Sequence, residues 1–126
     1  PARLTSGLVV LAASDAATVL TAAQSVNSLV TMTPGAARNV TTATAAQIVS
    51  ELGANVKVGT TFLIIVRNQA ASTHAITLVG GTGVTLDGDN TNTVSATKTK
   101  QFLGRVTNKT SSSEAITIYS LGESVH

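Results

Sequence analysis

From Gly59 to Arg67 the chain reads Gly-Thr-Thr-Phe-Leu-Ile-Ile-Val-Arg, and the uninterrupted apolar run inside it constrains the fold more than any other segment. Read as a β-strand, it points Phe62, Ile64 and Val66 to one face and Leu63 and Ile65 to the other, because successive side chains alternate. A strand that is apolar on both sides is either central in a covered sheet or has one face against a neighbouring subunit. The residues around it agree with a β fold. Thr accounts for 21 of the 126 residues, and Val and Ile are frequent, both β-branched types that favour strands.

Only one segment has helical period. Ala45, Ile48, Val49 and Leu52 fall at i, i+3, i+4 and i+7, which predicts a short helix over about 44–52. Thr44, with Gln47 three residues on, makes a capping box, and Gly53 follows as the C-terminal cap. Elsewhere the chain alternates at period two. Strands are expected at Leu8–Leu11, Ala17–Leu20, Val26–Met32, Arg38–Thr41, His74–Val79, Val84–Leu86, Asn92–Ala96, Lys100–Thr107 and Glu114–Leu121, the last closed by Gly122. The Ala-rich stretches around Ala12 and Ala22 also fit helical turns. Thr33-Pro34-Gly35, Gly80-Gly81-Thr82-Gly83 and Asp87-Gly88-Asp89-Asn90 read as turns. Eight to ten short strands predict an all-β, antiparallel β-sandwich of jelly-roll type with one short α-helix. The expected organisation is an N-terminal arm or first strand over 1–16 and a single sandwich domain over 17–126.

The composition is 43% hydrophobic, 2% aromatic and 11% charged, against roughly a quarter charged for an ordinary globular chain. Mean hydropathy is +0.31. A chain this short of polar groups is expected to cover part of its surface with identical copies or a larger assembly. The alternative is a monomer with an exterior of Thr, Ser and Asn.

Several function classes are disfavoured by the same counts. With no Cys, thiol nucleophiles, disulfides and thiolate metal sites are excluded. Eight basic against six acidic residues leave a net charge of only +2, far from the clustered cations that phosphate binding needs. No nucleic-acid partner is expected. No apolar run approaches the roughly 20 residues of a membrane-spanning helix, and no membrane partner is expected either. Proline at the first position is what methionine removal leaves, so Pro1 is the expected start of the mature chain, although a trimmed chain would look the same.

The motifs that invite chemistry are incomplete. Gly80-Gly81-Thr82-Gly83 lacks both the Gly-Lys-Thr/Ser of a phosphate loop and the third glycine of a dinucleotide site. Counted from Asp87, the twelfth position is Lys98, where a calcium loop of the EF-hand kind needs Glu. His74 is the one internal histidine, placed by its neighbours on a sheet edge or near an interface, and no Gly-x-Ser-x-Gly elbow exposes a serine to it. No enzyme, cofactor or metal is expected. Lys98, Lys100, Arg105 and Lys109 carry four positive charges with no acid between them. They fit an edge strand guarded against aggregation, or a contact with an acidic protein surface.

Four segments stand out: Thr44 to Leu52, Val58-Gly59-Thr60-Thr61-Phe62 to Arg67-Asn68, Gly81-Thr82-Gly83-Val84-Thr85-Leu86, and Glu114-Ala115-Ile116-Thr117-Ile118-Tyr119-Ser120-Leu121-Gly122. Together they resemble small virion proteins of tailed bacteriophages, notably capsid decoration (cement) proteins. The resemblance implies a non-enzymatic, jelly-roll-like structural protein, commonly a homotrimer. Such a protein binds the major capsid protein on the outside of the capsid and stabilises the expanded head. It would be localised to the virion after assembly in the host cytoplasm. A head or tail fibre or receptor-binding module is the alternative. In either case the chemistry is interface burial. Arg3, Leu4, Leu8, Val9, Val10 and Leu11 are expected to lie on the capsid or a neighbouring subunit, and Leu63 and Ile65 at a subunit interface. The competing role for both groups is ordinary core.

Overall fold

A computed structural model describes residues 8–87 and 92–125. Ten strands form in chain order: β1 (Val9–Ala12), β2 (Thr18–Val19), β3 (Ser28–Met32), β4 (Arg38–Thr41), β5 (Thr61–Asn68), β6 (Ile76–Val79), β7 (Val84–Asp87), β8 (Thr93–Val94), β9 (Lys98–Asn108) and β10 (Ala115–Val125). A helix, α1 (Ala45–Leu52), lies between β4 and β5, and a 3-10 turn spans Ala23–Ser25. The capping box is present in full: the Thr44 hydroxyl accepts from the Gln47 N–H, and the Gln47 side chain accepts from the Thr44 N–H.

The strands make two sheets, one in the order β1-β3-β5-β9-β10-β7 and the other β2-β4-β6-β8. Through β6 the chain alternates between them, so β1, β3 and β5 run parallel in the first sheet while β2, β4 and β6 run parallel in the second. β7 is parallel to β10. Only the pairings β5–β9, β9–β10 and β6–β8 are antiparallel. The two-sheet β class holds, but the antiparallel sandwich is corrected to a mixed one. The physical reason lies in the connections. A two-residue hairpin joins antiparallel neighbours, whereas from β1 to β6 each link carries the chain to the opposite sheet, and its return places like-directed strands side by side.

One continuous core fills the space between the sheets. It is built from Val30 and Met32 on β3, Phe62, Ile64 and Val66 on β5, Phe102 and Val106 on β9, Ile116 and Ile118 on β10, and Val40, Ile76, Leu78 and Val94 from the second sheet. Ala45 and Ile48 bring α1 onto the same cluster. Two expectations about the late strands change. β9 is not an edge strand but lies between β5 and β10, so Lys98 and Lys100 guard no edge. Lys98 sits 3.7 Å from Glu123 across the β9–β10 ladder, and Lys100 is buried. Gly122 does not end β10. The register slips between Ser120 and Glu123, and Gly122, at φ +106°, carries the strand through a bulge, a conformation glycine adopts at little cost.

The turns of the alternating segment are tied to each other. One Asp15 carboxylate oxygen accepts from the Gly35 N–H at 2.9 Å and from the Arg38 guanidinium at 2.8 Å, joining the β1–β2 turn to the β3–β4 turn. The Gly35 N–H first, and Arg38 second, hold the Asp15 carboxyl below its ordinary value of 3.8. Because the folded value is depressed, this link contributes stability above the unfolded carboxylate range and loses it as pH falls through the lowered folded value. An NMR titration of the Asp15 carboxyl carbon should give a midpoint below 3.8, moving upward but not fully back in Arg38→Leu. A midpoint at or above that value in the native protein would contradict the link.

Candidate functional site: the outer face of the six-stranded sheet

Period two decides which side chains of the large sheet turn away from the core. On β5 these are Thr61, Leu63, Ile65 and Arg67, since Phe62, Ile64, Val66 and Asn68 are buried. The register extends the same face across the neighbouring strands. Leu63 stands opposite Leu103, and Leu103 opposite Tyr119. Ile65 stands opposite Leu29, and Leu29 opposite Val10. The result is an apolar band of two offset rows that meet on β5, Val10, Leu29 and Ile65 in one and Leu63, Leu103 and Tyr119 in the other, with exposed Gln101 opposite Ile65.

Basic residues flank the band on both sides along the strands. Arg105 is opposite Thr61 at one end and Arg67 is opposite Thr99 at the other. Asp87, opposite Tyr119, closes the band at the far edge. Leu29, Leu63, Ile65 and Leu103 are half-buried and belong to no part of the continuous core. An open dent of about 270 Å3, lined by Thr99, Gln101, Leu121, Gly122, Glu123 and Ser124, lies at the β10 bulge beside the Arg67 end.

The candidates drawn from the sequence divide on this geometry. Leu63 and Ile65 lie on the outer face together with Val10, and Leu8 is exposed at the approach to β1. Val9 and Leu11 alternate to the other side, with Leu11 packed against the core. For Leu11, the expected interface role is therefore replaced by the competing one, ordinary core. Arg3 and Leu4 lie outside the described residues. Leu29, Leu103, Tyr119, Arg67 and Arg105 were not candidates from the sequence, because a single strand shows which way a side chain points but not which strands stand beside it. Leu29 and Leu103 did carry a signal: each is a large apolar residue at the outward parity of its strand.

A second dent, about 370 Å3, opens at the N-terminus of α1 between Thr44, Ala46, Thr82, Gly83, Ser112 and Glu114. Its polar side chains are hydroxyls and one carboxylate. His74 is not among the lining residues and stands exposed on the loop ahead of β6. Among the described residues, no group of three or more His, Asp or Glu is placed to hold a metal ion. No helix among them is long and apolar enough to cross a membrane. No protein-family model matches the chain, and no curated protein and no solved structure is similar enough to count as a match.

Proposed function

We propose that this chain is a structural virion protein that binds the outer surface of a tailed-phage capsid and stabilises the expanded head, with the outer face of its six-stranded sheet as the docking surface. The observation that carries the reading is the apolar band running from Val10 to Tyr119, flanked by Arg105 and Arg67. An apolar centre with arginines at its rim has the composition of a protein–protein interface, where buried area gives affinity and rim charges set orientation. The fitting partner surface is apolar with carboxylates at its margins, in the major capsid protein or in a neighbouring copy of a homotrimer. The resemblance of the four sequence segments to small virion proteins supports the reading, and two β-sheets are compatible with it, although their strand order is mixed.

Light scattering on a sizing column tests the copy number, since a trimer has three times the 12.7 kDa mass of the chain. Binding to expanded, undecorated heads then tests the surface. Ile65→Asp puts a charge in the middle of the band, so it should weaken head binding at least 100-fold, about 3 kcal/mol, while the far-UV circular dichroism stays unchanged. Undiminished binding by Ile65→Asp would remove the band from the interface. Binding to host-surface polysaccharide with none to heads would move the reading to a fibre or receptor-binding module.

A further inference from the structure

We propose that β1 pairs edge to edge with the β1 of a second copy, antiparallel across a two-fold axis normal to the sheet. β1 is a terminal strand of the six-stranded sheet, with β3 on one side and, among the described residues, no strand on the other. Its Val9 N–H donates to Asn27 O at 2.9 Å, and the Ala13 N–H donates to Thr31 O at 2.8 Å. The odd-numbered residues thus face β3, and alternation turns the N–H and C=O groups of Leu8, Val10 and Ala12 toward the open edge.

Natural edge strands are usually blunted by charge, proline or a bulge. This edge has none of these: from Leu8 to Ser14 the chain carries no charged residue and no proline, and β1 pairs with β3 without a register break. It is also apolar outward. Val10 is 66% exposed and Leu8 43%, and Val19 on β2, the terminal strand of the other sheet, is 73% exposed.

The strand is complementary to itself, and this selects a second copy as the occupant. With the two-fold axis at Val10, that residue meets its symmetry mate, and Leu8 meets Ala12 of the other copy, large against small on the same face. No like charges are brought together, and all three outward-facing residues find hydrogen-bonding partners. The opposite terminal strand, β7, ends instead in the exposed carboxylate of Asp87. A two-fold axis normal to the sheet keeps both outer faces on one side, so the apolar bands of the two copies, each ending at Val10, become continuous. The contact is separate from the docking proposed above and links copies whatever the band binds.

The chain has no cysteine, so a single introduced one reports without background. Antiparallel hydrogen-bonded pairs place Cα atoms about 5.5 Å apart, within the range a disulfide spans. Under mild oxidation Val10→Cys should form a dimer on a non-reducing gel at least tenfold faster than Val58→Cys, a residue of similar exposure on the loop before β5. The dimer should also form in Val10→Cys/Ile65→Asp, where band docking is disabled. Adding Ala12→Pro removes an outward N–H that the β1–β3 ladder does not use, and should abolish the rapid cross-link without changing the circular dichroism. Cross-linking of Val10→Cys no faster than Val58→Cys, or undiminished by Ala12→Pro, would overturn the pairing.

Discussion

Gly104→Ala should destabilise the fold by about 3 kcal/mol, at the upper end of what overpacking a core costs. Gly104 sits on β9 directly opposite Phe62 on β5 and Ile118 on β10. The Phe62 ring lies flat over the space that a side chain would need. A Cβ on Gly104 would overlap Cζ and both Cε atoms of that ring, well inside van der Waals contact. The ring cannot swing clear, because it is 2% exposed and its neighbours in the core are close-packed. The loss should appear in urea unfolding as a lower midpoint at unchanged slope. Phe62→Leu, combined with Gly104→Ala, should recover part of it, since the smaller side chain vacates the contested space. Gly104→Ala within about 0.5 kcal/mol of the native protein would mean the ring does not occupy that position.

The Phe62–Gly104 contact also shows where sequence reasoning stops. Phe62 is legible as core from the alternation of its own strand, and so are Ile64, Val66, Phe102, Val106, Ile116 and Ile118, all of them buried. Thr44, Gln47 and Gly53 bound α1 correctly, because caps are local hydrogen bonds written in adjacent residues. The direction of pairing is not local. Gly80-Gly81-Thr82-Gly83 has the composition of a hairpin turn, yet it delivers β6 and β7 to different sheets. Gly122 carries the same residue type as a strand stop and serves a bulge instead. The candidate site follows the same division. Leu63 and Ile65 announce an apolar outer face within one strand, whereas Leu29, Leu103 and Tyr119 join them only through register. Arg67 and Arg105 flank the band for that reason as well: they are far apart in sequence and lie at opposite ends of adjacent antiparallel strands.

Asn68→Asp, a change of one side-chain nitrogen to oxygen, should cost the native fold about 3–5 kcal/mol at pH 7. Asn68 ends β5 and is fully buried. Its amide nitrogen donates to His74 O and to Val94 O, each at 2.9 Å, and its Oδ1 accepts from the Ala70 N–H at 2.9 Å. Three points of the chain are thereby held by one side chain: the start of the β5–β6 loop, its end at His74, and β8 in the second sheet. An aspartate there keeps the acceptor but turns a second oxygen toward two carbonyl oxygens, leaving both without a donor and burying a charge beside them. Burial and the two carbonyls raise the pKa of such a carboxyl in the folded state. Protonation then restores one of the two donations, so the deficit should be smallest below the unfolded carboxylate range and grow as pH rises through the raised folded value. Urea unfolding of both proteins between about pH 4 and pH 7 gives that difference directly. A deficit that is small at pH 7, or that does not grow with pH, would mean that the Asn68 amide does not hold the two carbonyls. Where it does, the crossing from the large sheet to the small one is fixed at the end of the strand that carries Leu63 and Ile65. The register of the apolar band then depends on a buried amide on the opposite face of β5.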